Sequence, residues 1–585
     1  MMKEGKMAGA CQGEGNLITR FFSKLAPPVI SVLPIPGEEV FRSNHVFFSD
    51  LGLEVAANPR AANVMIIRGP VPVNLNQHII ITYAQMPRPR VLVFDGLEQL
   101  PGLPHPDLKL EQEEAGYLGL KKTLEKLLTH PFAADVEPYA PEVVIKQLEQ
   151  DQESQQGHQH HHHGHDHSGH QHEHEEHHQE SDQDQHQSEH QHHSGRQEEE
   201  DHDHHDHSDH SSTEEEEHEH QHSGHDQHQE HEKHDGHDHG GHGGGMGFMS
   251  MVMMTKDMPR SMDGLPMEHN QAHFGPFFPG LTGGISVQMM LDGDTAMQIK
   301  PELHLMQRKN DLPPLKDMSE LPQRLTQCNP LCPETWKVMG ELLLNPAHEL
   351  TFHQVQRLET ERIDAHFNWL ITFSTLTGNQ WLRFKAEKLM KHKNYREQKE
   401  TIRKFTDKIL KFRHLKHKIQ AVGSVPDHLL HHTRGIVARA AGQARDARIG
   451  SERYRKLGFE PVLGGQNDVW GRLKQILAEI NQSLELLRRT YEEANQEVPS
   501  PGPVDKIHPA QAELESPFGL LIGNLEVKKR KHYKVSIKAS SGCHLVLAGK
   551  AIHQLELSDA LVSLASFHIN PWEVNKIEIK NTGHA

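Results

Sequence analysis

An α/β domain joined through a low-complexity segment to a larger, mainly helical α+β domain is the fold class this sequence predicts. Three observations predict it. Residues 28–148 alternate short β-branched runs with helix-like stretches, and residues 151–245 lose nearly every apolar side chain. Residues 246–580 carry long stretches with apolar side chains three and four apart, the period of an α-helix.

In the first segment "NVMIIRGPV" and "RPRVLVFDGL" are β-branched runs closed by Gly or Pro, as buried parallel strands are. "NLNQHIIITYAQM" between them reads as a helix. "GLKKTLEKLLTHPF" repeats Leu at helical spacing until a proline ends it. The middle segment holds 31 of the chain's 53 histidines, interleaved with Glu, Asp, Gln, Ser and Gly. Such a composition cannot bury enough apolar surface to offset the entropy of ordering the chain, so a disordered linker is expected. A Met-rich stretch, 246–267, follows it and carries no recognisable motif. Beyond it "GGISVQMMLDGDTAMQIKP" alternates around a glycine turn, as a hairpin does. Residues 335–425, and then "DVWGRLKQILAEINQSLELLRRTYEEA", have the stripe of amphipathic helices. "HYKVSIKASSG" and "HLVLAG" read as strands, and "LSDALVSLASF" as a closing helix.

Formal net charge is −20 at pH 7, which argues against a nucleic-acid binder. Four cysteines (Cys11, Cys328, Cys332, Cys543) are too few for a disulfide framework or for four thiolates around one local iron–sulfur cluster. No apolar run is long enough to span a membrane, and the N-terminus shows no signal-peptide core. The expected location is cytoplasmic, soluble or docked peripherally. Neutral imidazole binds nickel, zinc and copper. The tract, with His160, His161, His162, His163, His165 and His167 at its densest, is therefore expected to hold such ions loosely and in no set geometry. "CNPLC" supplies Cys328 and Cys332 without a second pair. His304, His348 or His353 would have to complete a metal site there, and two free thiols are the preferred reading. In "FHQVQRLETERIDAHFNWL" Glu361 and His366 lie five apart, so the helical HExxH zinc motif is absent. Glu361, Arg362 and His366 read as a polar helix face, with Trp369 and Leu370 turned inward. No G-x-G-x-x-G or P-loop lysine signature occurs. No catalytic or cofactor-binding residue is assigned.

"HHTRGIVARAAGQARDAR", residues 431–448, sets Arg434, Arg439, Arg445 and Arg448 in an acidic chain. Gly435, Arg439, Ala440, Gly442, Asp446 and Arg448 spell G-x-x-x-R-A-x-G-x-x-x-D-x-R. This pattern resembles the catalytic large subunit of NADH:quinone oxidoreductase (complex I) and the large subunits of membrane-bound nickel–iron hydrogenases. Three further stretches fit the family in order, over roughly residues 274–576. "HFGPFFPGLTGGISVQMMLDGDTAMQIKPELHLMQR" is similar to its F-G-P-x-H-P-x-x-H-G hairpin, "LETERIDAHFNWL" to L-E-x-E-R-I-x-x-H-x-x-W-L, and "NDVWGRLKQILAEINQSLELL" to D-x-x-x-R before a long helix. "ANPRAANVMIIRGPV" and "TYAQMPRPRVLVF" resemble the small, cluster-bearing subunit of the same complexes. The resemblance implies both subunits fused in one chain: a flavodoxin-like α/β domain, a His-rich linker, and a hydrogenase-large-subunit-like domain.

The departures bear on function. Leu97 and Glu98 stand where the small subunit has a cluster cysteine, and Phe278 and Thr282 where the large-subunit hairpin has histidines. The hydrogenase motif D-P-C-x-x-C falls on "HINPWEVNK", with Asn570 and Glu573 for its cysteines. E-R-I-C-G-x-C has no counterpart before Glu361, and E-x-P-R-G-E loses its arginine at Phe518. What remains is Gly435, Arg439, Gly442, Asp446, Arg448, Asp468 and Arg472, with Lys534 and Lys538. Arg439, Asp446 and Arg448 are expected to form buried ion pairs that fix a loop over the former active site. Arg445, at a position the pattern leaves free, is expected to face water. The resemblance implies a membrane-associated complex with integral, ion-translocating partners at the inner or plasma membrane. The chain itself is expected to carry no iron–sulfur cluster, no nickel–iron centre and no catalysis. Two other readings stay open: an oxidoreductase subunit using NAD(P)H or quinone chemistry with cofactors from its partners, and a metal buffer acting through the His tract.

Overall fold

The computed structural model describes residues 29–112, 114–129, 139–159, 270–305, 315, 317–346, 349–392, 394–494, 507–528, 532–573 and 577–580. The tract residues His160, His161, His162, His163, His165 and His167, the Met-rich stretch, Cys11 and His348 lie outside them. Residues up to Gly157 and from Asp257 onward belong to one compact unit.

Its N-terminal half is a parallel sheet. Strands β1 (Ser31–Ile35), β2 (Glu54–Val55), β3 (Val64–Arg68), β4 (Val91–Asp95) and β5 (Leu108–Leu110) lie in the order β2-β1-β3-β4-β5. Both faces are covered, which is why the strands read as continuous apolar runs. Val64, Ile66, Val91 and Val93 pack with Leu120 and Leu124 of one helix, while Met65, Ile67, Leu92 and Phe94 pack with Ile79, Ile80 and Tyr83 of another. The helices in order are α1 (Glu38–Ser43), α2 (Val73–Gln85), α3 (Leu120–Leu128) and α4 (Pro141–Gln159). Helix α4 runs on past residue 151, into the stretch expected to be linker. It bonds back to α2, where Gln77 Nε2 donates to Glu149 Oε1 at 3.2 Å.

The C-terminal half begins with an antiparallel meander, β6 (Asn270–Phe274), β7 (Ile285–Asp292) and β8 (Thr295–Leu303), whose β7–β8 turn holds Gly293 at φ 58°. Helices α5 (Leu321–Cys328), α6 (Pro333–Leu344), α7 (Phe352–Leu376), α8 (Gln380–Lys391), α9 (Tyr395–Leu410), α10 (Gly435–Ala440) and α11 (Val469–Ala494) follow. Helix α7 opens on a capping box: Thr351 Oγ1 accepts from the Gln354 N–H, and Gln354 Oε1 accepts from the Thr351 N–H, satisfying two amides that the helix cannot. It packs along α11, and Ile363, Phe367 and Leu370 meet Leu473, Ile476 and Ile480 in the largest core. A second antiparallel sheet, β13-β11-β10-β9, is built from β9 (Ala510–Ser516), β10 (Gly519–Lys528), β11 (His532–Ala539) and β13 (Ile577–Lys580). The two-residue strand β12 (Leu555–Glu556) joins the meander beside β8. "HLVLAG" is not a strand: it lies inside α12 (Ser541–Ala551), and α13 (Leu557–Ser566) follows. A six-residue apolar run fits a buried strand or a buried helix turn equally well. Here Leu547 and Ala548 pack on the meander beside Ile299.

The two halves share a core. Leu305, Leu331 and Trp572 pack with Leu33, Ile35 and Met65 of the parallel sheet's half. Buried Arg42 of α1 donates to Asn368 Oδ1 at 2.7 Å and to Thr372 Oγ1 at 3.1 Å on α7, and Asn368 Nδ2 donates to the Glu39 carbonyl at 3.0 Å. Gly283 is pressed against the backbone of Pro36 and Gly37, and its N–H donates to Glu39 Oε1 at 2.6 Å. Alongside this contact lies a cavity of about 320 Å³, lined by Leu33, Pro36, Phe278 and Leu281 and by the charged Glu38 and Arg383.

Candidate functional site

The loop 435–448 is held by charges buried beneath it. Gly435, at φ 56°, lets the chain enter α10 where a Cβ would meet Gly519 Cα at 2.8 Å. The turn that follows sends the Arg439 side chain, fully buried, into a nest of carboxylates. Its guanidinium grips Glu479 of α11 through two bonds of 2.6 and 3.1 Å, Glu515 of β9 at 2.6 Å, and Asp446 at 3.1 Å. Asp446 is shared. Its two oxygens also accept from Arg448 at 3.0 and 2.7 Å, and Arg448 Nη1 reaches Glu359 of α7 at 3.3 Å. Glu359 further accepts from Tyr454 Oη at 2.7 Å and Ser483 Oγ at 2.5 Å. Bidentate, charge-assisted bonds of this kind are the strong ones.

Two expectations are corrected here. Glu361, Arg362 and His366 are not a solvated helix face, because all three are buried. Both faces of α7 are covered, and Arg362 donates to the Glu515 and Ser516 carbonyls at 2.8 and 3.1 Å while His366 Nε2 lies 3.5 Å from Glu479 Oε2. Nor does Arg445 simply face water. It is half-buried, and its Nη1 donates to the carbonyls of His431 and Thr433 at 2.5 and 3.2 Å.

The remaining motif residues act locally. Gly442 takes φ 83° at the end of α10. Asp468 accepts the N–H groups of Ala421 and Gly471, each at 2.7 Å, and so caps the start of α11. Arg472 is fully buried; its N–H donates to the Asp468 carbonyl at 3.0 Å, and its guanidinium donates to Ser566 Oγ and to the carbonyls of Asn467 and Gly423. Lys538 is exposed on β11 and Lys534 is half-buried there.

A second buried group lies where "CNPLC" meets "HINPWEVNK". Cys332 Sγ–H donates to Glu573 Oε1 at 3.2 Å, and Asn570 Nδ2 lies 3.2 Å from Asn329 Oδ1 and 3.5 Å from Cys332 Sγ. Ser541 Oγ donates to Glu573 Oε2 at 3.2 Å. Sequence reading paired Cys328 with Cys332, but only Cys332 enters this group; Cys328 Sγ bonds the Arg324 carbonyl within its own helix. The donors here are one thiol, one carboxyl, two amides and a hydroxyl. That set does not fit a nickel–iron centre or an iron–sulfur cluster, which need several thiolates. Leu97 and Glu98 offer none either, and Glu98 instead pairs with Lys109 at the surface. His304 and His353 are not part of this group, and His304 bonds Ser286 on the β6–β8 meander.

Burial drives the protonation states. It pushes the Cys332 thiol well above its usual range, helped by the Glu573 and Glu361 carboxyls, so the sulfur keeps its proton. It pushes Glu573 up to about 7. In the ion network burial also acts upward, but Arg439 overcomes it at Glu479, and Arg448 and Arg439 overcome it at Asp446, so both are held below the carboxylate range. A testable pH effect follows. Between about pH 4.5 and 7 the native chain keeps a proton on Glu573 that the unfolded chain releases, so stability falls as pH rises through that window. Glu573→Gln is expected to remove its own share of the slope, about 2–3 kcal/mol between pH 5 and 8, and to leave the share of Glu361, which burial raises to about 8. Urea midpoints at the two pH values read it, and parallel pH dependence in both proteins would refute the assignment.

The loop, α11 and the carboxylate partners Glu479 and Glu515 lie in one segment of the chain, with Glu359 of α7 outside it. Residues 385–516 match the family model of the respiratory-chain NADH dehydrogenase, 49 kDa subunit. That segment contains Gly435, Arg439, Gly442, Asp446, Arg448, Asp468 and Arg472, together with Glu479 and Glu515, and is less than a quarter of the chain. No curated protein matches the sequence. Among solved structures, a chain of the membrane-bound sulfane sulfur reductase, an archaeal respiratory membrane complex, is similar at a TM-score of 0.45 and 16% identity, covering 53% of this chain and 99% of that one. Among the described residues no helix is long and apolar enough to cross a membrane.

Proposed function

We propose that this chain is a non-catalytic subunit of a membrane-associated complex of the NADH:quinone oxidoreductase or hydrogenase type. In this reading it packs on an integral, ion-translocating partner, on the cytoplasmic side, and passes conformational change to it. The 49 kDa family match supports the family. The observation that carries the non-catalytic reading is the closed group of Cys332, Glu573, Asn570, Asn329 and Ser541, mutually bonded side chains with a single thiol, where the resemblance aligns the hydrogenase cysteine motif. The strand order β2-β1-β3-β4-β5 is that of flavodoxin-like sheets and supports a small-subunit-like origin for the N-terminal half.

The test is purification of the tagged chain from membranes, with iron, acid-labile sulfide and nickel measured on the chain itself. Integral subunits in fixed ratio with it, and metal near background once the His tract is stripped by chelator, are expected. Stoichiometric iron and sulfide would overturn the reading, and so would recovery of the chain only as a free monomer.

The cavity of about 320 Å³ favours a second reading, an active quinone-linked subunit, because it joins apolar walls to the charged Glu38 and Arg383 as sites for amphiphilic small molecules do. Quinone-dependent NADH oxidation by the purified complex that is lost in a cavity-filling Ala57→Trp variant would favour it. A third reading, metal buffering, rests on the 31 histidines of residues 151–245.

A further inference from the structure

Three histidines and a carboxylate meet on the β6–β8 meander, away from the family motif. The strand register places them. His273 stands opposite Gln288, and Glu302 opposite Ser286. Alternation along each strand puts these side chains on the face opposite the buried row Val287, Met289 and Ile299. His304 continues that face two residues beyond Glu302, its N–H bonded to the Gly284 carbonyl at 2.9 Å. Helix α2 of the other half then lays His78 against it, with the two imidazole rings 4.1 Å apart, centroid to centroid, at 64°. His273 is exposed, and His78, His304 and Glu302 are half-buried, so solvent reaches the group.

We propose that His78, His273, His304 and Glu302 form a binding site for a divalent transition-metal ion of the zinc class. Three imidazoles and one carboxylate are a donor set that zinc, nickel and copper(II) accept. Ser286 Oγ lies 2.5 Å from His304 Nε2. With Nε2–H donating to that hydroxyl, Nδ1 is left to the metal, the outer-shell arrangement that orients a ligating histidine.

Among the described residues no three histidine, cysteine or carboxylate side chains are placed to hold a metal ion, so binding requires two of the four to move. His273 turns in from solvent, and Glu302 exchanges its 3.0 Å pairing with Lys300, an exposed side chain, for the metal. Exposed pairs of this kind are worth little.

The experiment uses the full-length protein. Its thermal midpoint is measured with chelator and with zinc in micromolar excess, alongside His273→Ala and His78→Ala. An ion bound by the folded state alone raises the midpoint by mass action, whereas the tract is present in every variant and cancels from the comparison. A rise of roughly 3 °C is expected in the parent protein, with most of it lost in both variants. His273 is exposed, so its variant folds even where His78→Ala does not. The same rise in the parent and in His273→Ala, or no rise in the parent, overturns the proposal.

Discussion

Replacing Arg439 with alanine is expected to lower folding stability by about 3–5 kcal/mol, because removing one partner of a buried charge group strands the rest. Arg439 is fully buried and serves three carboxylates at once: Glu479, Glu515 and Asp446. Without it Glu479 loses both guanidinium bonds, and burial disfavours the charged form of its neighbour His366. Arg445→Ala, six residues along the same loop, removes two bonds to carbonyls from a half-buried side chain and is expected to cost about 1 kcal/mol. Arg439→Lys should recover little, since an ammonium cannot reproduce the two-pronged grip on Glu479. Urea or thermal midpoints decide the matter. A solvated basic face would make the two alanine variants equal, and equal midpoints would end the case for a clamp.

The second large effect is expected at Gly283→Ala. A Cβ there would lie 2.1 Å from the Pro36 carbonyl oxygen and 2.8 Å from the Gly37 nitrogen. Both are backbone atoms, so neither can swing aside. The hairpin would have to lift off the parallel sheet's half, breaking the Gly283 N–H bond to Glu39 with it. The expected loss is about 3 kcal/mol, at the upper end for overpacking, with faster proteolytic separation of the halves. Gly293→Ala in the β7–β8 turn is the control. It carries a left-handed φ penalty of about 1 kcal/mol that Gly283 does not, yet meets nothing within 4 Å. Matching midpoints and cleavage rates for the two would show that the close approach at Pro36 does not hold the halves together.

What the sequence disclosed follows from the range of the interactions. "NVMIIR" and "VLVF" announced buried strands because sheets covered on both faces need unbroken apolar runs. "HLVLAG" misled because six apolar residues lack the length to tell helix from strand. Arg439, Asp446 and Arg448 were legible as a spaced pattern, and the structure brings them together. Their other partners were not, since Glu479 lies 40 residues from Arg439, Glu515 lies 76 away, and Glu359 lies 89 from Arg448. One signal was available. Glu479 sits on the apolar stripe of α11 between Ile476 and Ile480, and a charged residue at a buried position almost always has a partner. Arg445 was misjudged because a position free in a pattern is not a position free in space. Cys332 and Asn570, 238 residues apart, could be joined only by the fold.

The core shared by Leu305, Leu331 and Trp572 with the parallel sheet also fixes how this molecule can be put together. Where two such modules are separate proteins, their pairing depends on how much of each is present, and dilution parts them. Here the contact closes within one chain, so its completeness is independent of concentration. Any assembly that recruits one half receives the other, in a ratio of one to one, without a separate encounter step.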